Sequence, residues 1–186
     1  TSTLVTGPAG SGKTTLALVY LAAACSRGEN CTIYEFDERI ATLINRADSM
    51  GLNLSQYVAS GQLVIQQVDP AEVSPGEFAW RVRNEVEGRQ SRMIVVDSLN
   101  GYMAAMPREQ QLILQMHELL SYLSQLGVVT FLINPQHGLL GSMATSLNIS
   151  YIADSVILIR YFEAQGRLRK AISILKHRTG AHEDAI

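Results

Sequence analysis

The octapeptide Gly7-Pro8-Ala9-Gly10-Ser11-Gly12-Lys13-Thr14 matches G-x-x-x-x-G-K-[ST] at every fixed position. The loop it encodes needs a strand before it and a helix behind it. Thr3–Thr6 reads as that strand and Lys13–Ser26 as that helix, closed by Gly28. Glycines let the backbone curl, so that successive N–H groups point inward at phosphate oxygens. The helix start adds the positive end of its dipole. In such a loop Lys13 reaches the β- and γ-phosphates and the Thr14 hydroxyl ligates Mg²⁺. Gly7, Gly10, Ser11, Gly12, Lys13, Thr14 and Thr15 are therefore the candidate nucleotide-binding residues, with ATP and Mg²⁺ as the expected cofactors.

Apolar runs then alternate with helical patterns, the signature of a mostly parallel α/β sheet. Cys31–Phe36, Leu63–Val68, Met93–Val96 ending at Asp97, and Val128–Ile133 read as strands. Arg39–Met50 reads as a helix stopped at Gly51, and Phe78, Val82 and Val86 recur at helical spacing. Pro107 suits the first turn of a helix whose core face is Leu112, Met116, Leu119, Leu120 and Leu123, closed by Gly127. Asn134–Ser150 reads as a loop at a strand end, where open α/β sheets bind ligands. Val156–Phe162 and Leu168–Leu175, joined by Glu163–Arg167, read as an antiparallel hairpin. The expected fold class is a P-loop α/β domain: a twisted, mostly parallel sheet flanked by helices, with a C-terminal hairpin.

Three further groups complete the candidate site. The apolar strand Met93-Ile94-Val95-Val96 delivers Asp97, whose carboxylate suits Mg²⁺ beside Thr14. Tyr34-Glu35-Phe36-Asp37-Glu38 ends the second strand in three carboxylates; strand alternation puts Glu35 and Asp37 on one face and Glu38 on the other. Either Asp37 or Glu38 could orient the attacking water, with Gln136 as a fallback acting by orientation alone. Six cations fall between Arg160 and Arg178. A solvated hairpin accounts for most of them, but Lys176 and Arg178 share a face at a strand end and could neutralise phosphate charge.

Bulk properties narrow the function. A chain of 186 residues suits one domain. The chain opens on Thr1 rather than Met and enters a strand at once, so it is read as a piece of a longer protein. Net charge is −2, which argues against a nucleic-acid coat. No apolar run reaches the roughly 18 residues that cross a bilayer. Cys25 and Cys31 match no metal spacing and read as reduced, buried apolar residues. The expected setting is the cytoplasm.

Taken in order, the P-loop with its helix, Phe36-Asp37-Glu38, Val95-Val96-Asp97-Ser98, and Ile174-Leu175-Lys176-His177-Arg178 followed by His182 resemble a KaiC-family ATPase domain of the RecA superfamily. The resemblance spans essentially the whole chain. It implies a RecA-like fold, ATP hydrolysis, and assembly into a ring, commonly a hexamer, with ATP between subunits. It also implies that Lys176 and Arg178 reach a neighbour's γ-phosphate, that His177 belongs to the nucleotide site, and that regulatory proteins are potential partners. The family usually ends its second strand in Phe-Glu-Glu; here the first carboxylate is Asp37. The Ser-Thr pair that one family domain phosphorylates is matched by Ser150-Tyr151, making Ser150 the candidate phosphoacceptor. Four readings compete: a slow regulatory ATPase ring, an autokinase acting on Ser150, a DNA motor, and a scaffold using ATP as interfacial glue. Neutral charge and the lack of a basic or aromatic single-strand channel weaken the DNA motor.

Overall fold

A computed structural model describes residues 1–104, 109–136 and 150–178. The elements are β1 (Ser2–Pro8), α1 (Lys13–Ser26), β2 (Cys31–Glu35), α2 (Ile40–Ser49), α3 (Leu54–Ala59), β3 (Leu63–Gln67), α4 (Pro75–Arg89), β4 (Met93–Asp97), α5 (Leu99–Ala104), α6 (Glu109–Gln125), β5 (Val129–Gln136), β6 (Ser155–Ala164) and β7 (Arg167–His177). Pro107, His182 and residues 137–149 of the expected loop lie outside the described residues.

The strands form one sheet in the order β3-β2-β4-β5-β1-β6-β7. Every neighbouring pair is parallel except the antiparallel β6–β7 hairpin. This is the RecA-like α/β arrangement. The runs of β1, β2 and β4 are buried end to end because helices cover both faces. Successive side chains divide between two cores. Leu4, Tyr34, Ile94 and Leu132 pack with Phe78, Leu112 and Met116 on one face. Val5, Ile33, Val95 and Ile133 pack with Leu18, Leu21 and Leu43 on the other. Cys25 and Cys31 are free and buried in that second core.

The structure adds two elements to the sequence reading and moves several boundaries. Two short helices, α3 and α5, were not expected; six residues show no clear 3.6-residue period, and α3 is held by burial of Leu54, worth about 1.5–3 kcal/mol. Strand β5 continues through Pro135 to Gln136, so the loop does not begin at Asn134. Proline is tolerated there because β4 ends at Asp97, opposite Ile133, leaving one side of the strand open. The hairpin turn is only Gln165-Gly166, both with positive φ (55° and 68°), which matches the right-handed strand twist. Charged Glu163 and Arg167 are therefore strand residues, paired with Leu168 and Ala164. No described helix is long and apolar enough to cross a membrane.

Candidate nucleotide site

The cradle sits where β1 turns into α1. Gly7 has a φ of 153°, and a β-carbon there would lie 2.1 Å from the Ile159 carbonyl oxygen of β6. The loop is thus pressed against the neighbouring strand, and only glycine fits. Gly12, at φ 104°, precedes the first residue of α1. Lys13 Nζ donates to the Pro8 carbonyl at 2.8 Å, and the Ser11 amide donates to the same oxygen at 3.3 Å. Lys13 is buried; desolvation lowers its pKa, opposed by the negative charge of Asp97.

Strand β4 ends two places along the sheet, beyond β5. Thr14 Oγ1 donates to Asp97 Oδ2 at 2.6 Å. Burial raises the Asp97 pKa and Asp37 adds to the rise; the Thr14 hydrogen bond and Lys13 oppose it. Ser98 Oγ donates to Asp37 Oδ2. The carboxylates of Glu35, Asp37, Glu38 and Asp97 line one cleft of about 210 Å³ with Lys13 and Thr14, over Ile133 and Pro135. A second cavity of about 190 Å³ shares Lys13 and Thr14 and adds Gly10, Gly12, Thr15 and Arg46. The glycine loop and the carboxylates thus meet at Lys13 and Thr14, which line both cavities.

The strand-face assignment of the acidic triplet is corrected. Strand β2 stops at Glu35, whose Oε1 accepts the amides of Asp37 at 3.3 Å and Glu38 at 3.0 Å. That turn breaks the two-residue period, so Glu38 joins Glu35 and Asp37 on one cleft instead of facing away. Glu35 is 1% exposed and its Oε2 has no hydrogen-bond partner. Burial, reinforced by Asp97, pushes its pKa up to about 8. Gln136 stands at the end of β5, in register with Pro8.

Lys176, His177 and Arg178 lie elsewhere. Thr3 pairs with Ser155, and Ser155 with His177, so this segment sits level with the start of β1, one strand beyond β6. About four residues of strand, roughly 13 Å, separate that row from Gly7. Lys176 Nζ donates to the carbonyls of Ser150 (2.9 Å) and Ala153 (2.7 Å), and Arg178 donates to the Tyr151 carbonyl at 3.0 Å. His177 Nδ1 shares a 2.9 Å hydrogen bond with Ser155 Oγ. Ser150, Lys176 and Arg178 are therefore brought together, but not to the cradle of their own chain.

Three residues at the site escaped the sequence reading. Arg46 bonds Glu38 at 2.8 Å from two helical turns along α2; a separation of eight, with Glu38 outside the helix, is not a helical pair spacing, so the sequence carries no signal for it. Lys170, read as a solvated hairpin cation, donates to the Gly10 carbonyl at 3.0 Å and lies over the Tyr161 ring. In the sequence Glu35 is one of three carboxylates at the strand end and a face-mate of Asp37, with no role of its own. Its pairing opposite Asp97 in the β2–β4 ladder makes it part of the site.

A sequence model described as "ATPase: KaiC" matches residues 1–186. The chain belongs to the KaiC ATPase family. It is 27% identical over 98% of its length to the circadian clock oscillator protein KaiC of Parathermosynechococcus lividus, covering 34% of that protein. It is 28% identical over all of its length to the circadian clock protein KaiC2 of Synechocystis sp., covering 33% of it. The chain thus spans about a third of these curated relatives. The KaiC-type P-loop supports a nucleotide-binding ATPase role.

Proposed function

We propose that residues 1–186 act as one ATP-hydrolysing domain of a homo-oligomeric ring, commonly a hexamer, whose active sites are completed between copies. The reading is of a slow, regulatory, cytoplasmic ATPase open to protein partners. The observation that carries it is the separation of Lys176 and Arg178 from their own cradle by the length of β1. Two cations on a strand end that cannot reach the bound phosphates of the same chain suit the phosphates of a neighbour. His177 travels with them.

Within one copy, the amides of the loop and Lys13 hold the β- and γ-phosphates. Thr14 and Asp97 offer hard oxygen donors that fit Mg²⁺, which keeps few protein ligands and takes the rest from phosphate and water. When bound, Mg²⁺ neutralises phosphate charge. Asp37 or Glu38 orients a water toward the γ-phosphorus and takes its proton as the new P–O bond forms. The bond to the bridging oxygen breaks and ADP carries off that electron pair. The neighbour's Lys176 and Arg178 offset charge on the transferring group.

Mixing two inactive proteins tests this. One carries Lys13→Ala; the other carries Lys176→Ala with Arg178→Ala. Mixed rings contain some interfaces with both halves intact, so ATPase activity should partly return. No recovery in rings proven to be mixed would sink action across the interface.

A second reading rests on one contact. Because Lys176 holds the Ser150 carbonyl, any neighbour that receives Lys176 also receives Ser150. Transfer of the γ-phosphoryl to the Ser150 hydroxyl, with loss of its proton to a site carboxylate, would make the ring an autokinase. Mass spectrometry after long incubation with ATP should show at most minor phosphate on Ser150; near-stoichiometric labelling would put the kinase reading first.

A further inference from the structure

Arg46 stands between two halves of the site. Its guanidinium bonds Glu38 Oε2 at 2.8 Å, in a pair whose side chains are 42% and 26% exposed. The same residue closes the cavity formed by Gly10, Gly12, Lys13, Thr14 and Thr15. Glu38 faces the adjoining carboxylate cleft. Both ends of the ion pair thus border the space a triphosphate would take, and Arg46 comes from α2, outside the loop and its helix.

A partly exposed pair is held weakly, because water screens both charges. A terminal phosphate carries more charge than a carboxylate and accepts two N–H bonds from the planar guanidinium fork. We propose that Arg46 is a γ-phosphate sensor acting within its own chain: without triphosphate it holds Glu38, and a γ-phosphate draws it away and releases Glu38 to the attacking water. This rests on the ATPase reading above. The release is a change of hydrogen-bond partner, with no bond made or broken. ADP, lacking the γ-phosphate, leaves Arg46 on Glu38. Arg46 is then a positioning residue for Glu38 and a specificity residue for triphosphate over diphosphate.

Calorimetry with Mg²⁺ and either ADP or the β,γ-imido analogue of ATP tests the proposal. Arg46→Ala should weaken the analogue about tenfold, the worth of one charge-assisted contact, while ADP affinity holds. Arg46→Lys should recover part of the loss, since charge remains without the fork. Glu38→Gln should tighten the analogue by freeing Arg46, and that gain should vanish in the Arg46→Ala, Glu38→Gln double variant. Equal losses for both nucleotides would reduce Arg46 to a general cradle charge and overturn the sensor. So would a Glu38→Gln gain that persists without Arg46. Failure of the ATPase reading looks different: the unaltered protein would bind neither nucleotide, or Lys13→Ala would bind both as well as the unaltered protein does.

Discussion

Thr14 Oγ1 lies 2.6 Å from Asp97 Oδ2, across 83 positions of sequence and two places of the sheet. The hydroxyl of the cradle and the carboxylate of β4 form one oxygen pair, so removing either should impair the same property. Asp97→Asn keeps an acceptor for Thr14 but loses the charge. We expect ATP affinity to become nearly independent of Mg²⁺, with a loss of about tenfold or more at saturating metal. Titrating ATP at stepped Mg²⁺ concentrations checks this. An unchanged metal dependence would remove Asp97 from the metal site.

Gly7 is set by contact as well as by φ. A β-carbon at this position meets the Ile159 carbonyl oxygen at 2.1 Å, and backbone on both sides cannot swing aside as a side chain can. Gly7→Ala should lower stability by about 1–3 kcal/mol and weaken ATP as the loop is displaced. Gly88→Ala, in α4 with open space around the added carbon, is the control and should be neutral or stabilising. Denaturant melts of both variants decide. Equal stabilities would mean the loop yields without cost.

Glu35 predicts a pH dependence with a definite sign. Burial raises its folded-state pKa to about 8, above its ordinary 4.5. Between those values the unfolded chain has released this proton while the folded chain still holds it. The contribution of Glu35 to stability is therefore full below the lower value and is lost as pH rises toward the upper one, by up to about 1.4 kcal/mol per pH unit. Glu35→Gln keeps an acceptor for the Asp37 and Glu38 amides but cannot ionise. The variant should overtake the unaltered protein between pH 5 and pH 8 in nucleotide-free melts. Parallel stability curves would show that Glu35 ionises normally.

Asp37 and Glu38 separate binding from hydrolysis. Ser98 holds Asp37 and Arg46 holds Glu38, so neither carboxylate touches the cradle amides. Asp37→Asn with Glu38→Gln should retain ATP yet slow its hydrolysis at least about a hundredfold, the usual worth of a positioned base. Quenched single-turnover assays check it. Native-rate hydrolysis would move the water-orienting role to another group, with Gln136 the first candidate.

The cradle was legible in the sequence because it is local. Gly7 to Thr15 are contiguous, and an eight-residue pattern between a strand and a helix specifies nearly all of its geometry. The placement of Asp97 beside Thr14 was legible for a related reason: a wholly apolar strand that ends in one carboxylate delivers it to the C-terminal edge of the sheet. The buried cores of α4 and α6 followed from side-chain periodicity, since burial of one helix face writes a 3.6-residue repeat into the chain. Where a helix had six residues, as in α3 and α5, no such repeat could form.

The tertiary structure alone decided which charges share a space. Alternation failed at Glu38 because the Glu35 carboxylate binds two amides just past the strand and turns the chain. Arg46 and Lys170 looked like ordinary surface cations; one reaches Glu38 from two turns along a helix and the other reaches Gly10 from a hairpin folded beside β1. The basic pair at Lys176 and Arg178 could be seen as a pair, but its distance from the cradle depends on which strand neighbours β1 and in which direction it runs. Strand order is a property of long-range packing between residues as far as 152 positions apart, as Thr3 and Ser155 are, and that packing leaves no periodic mark on either partner.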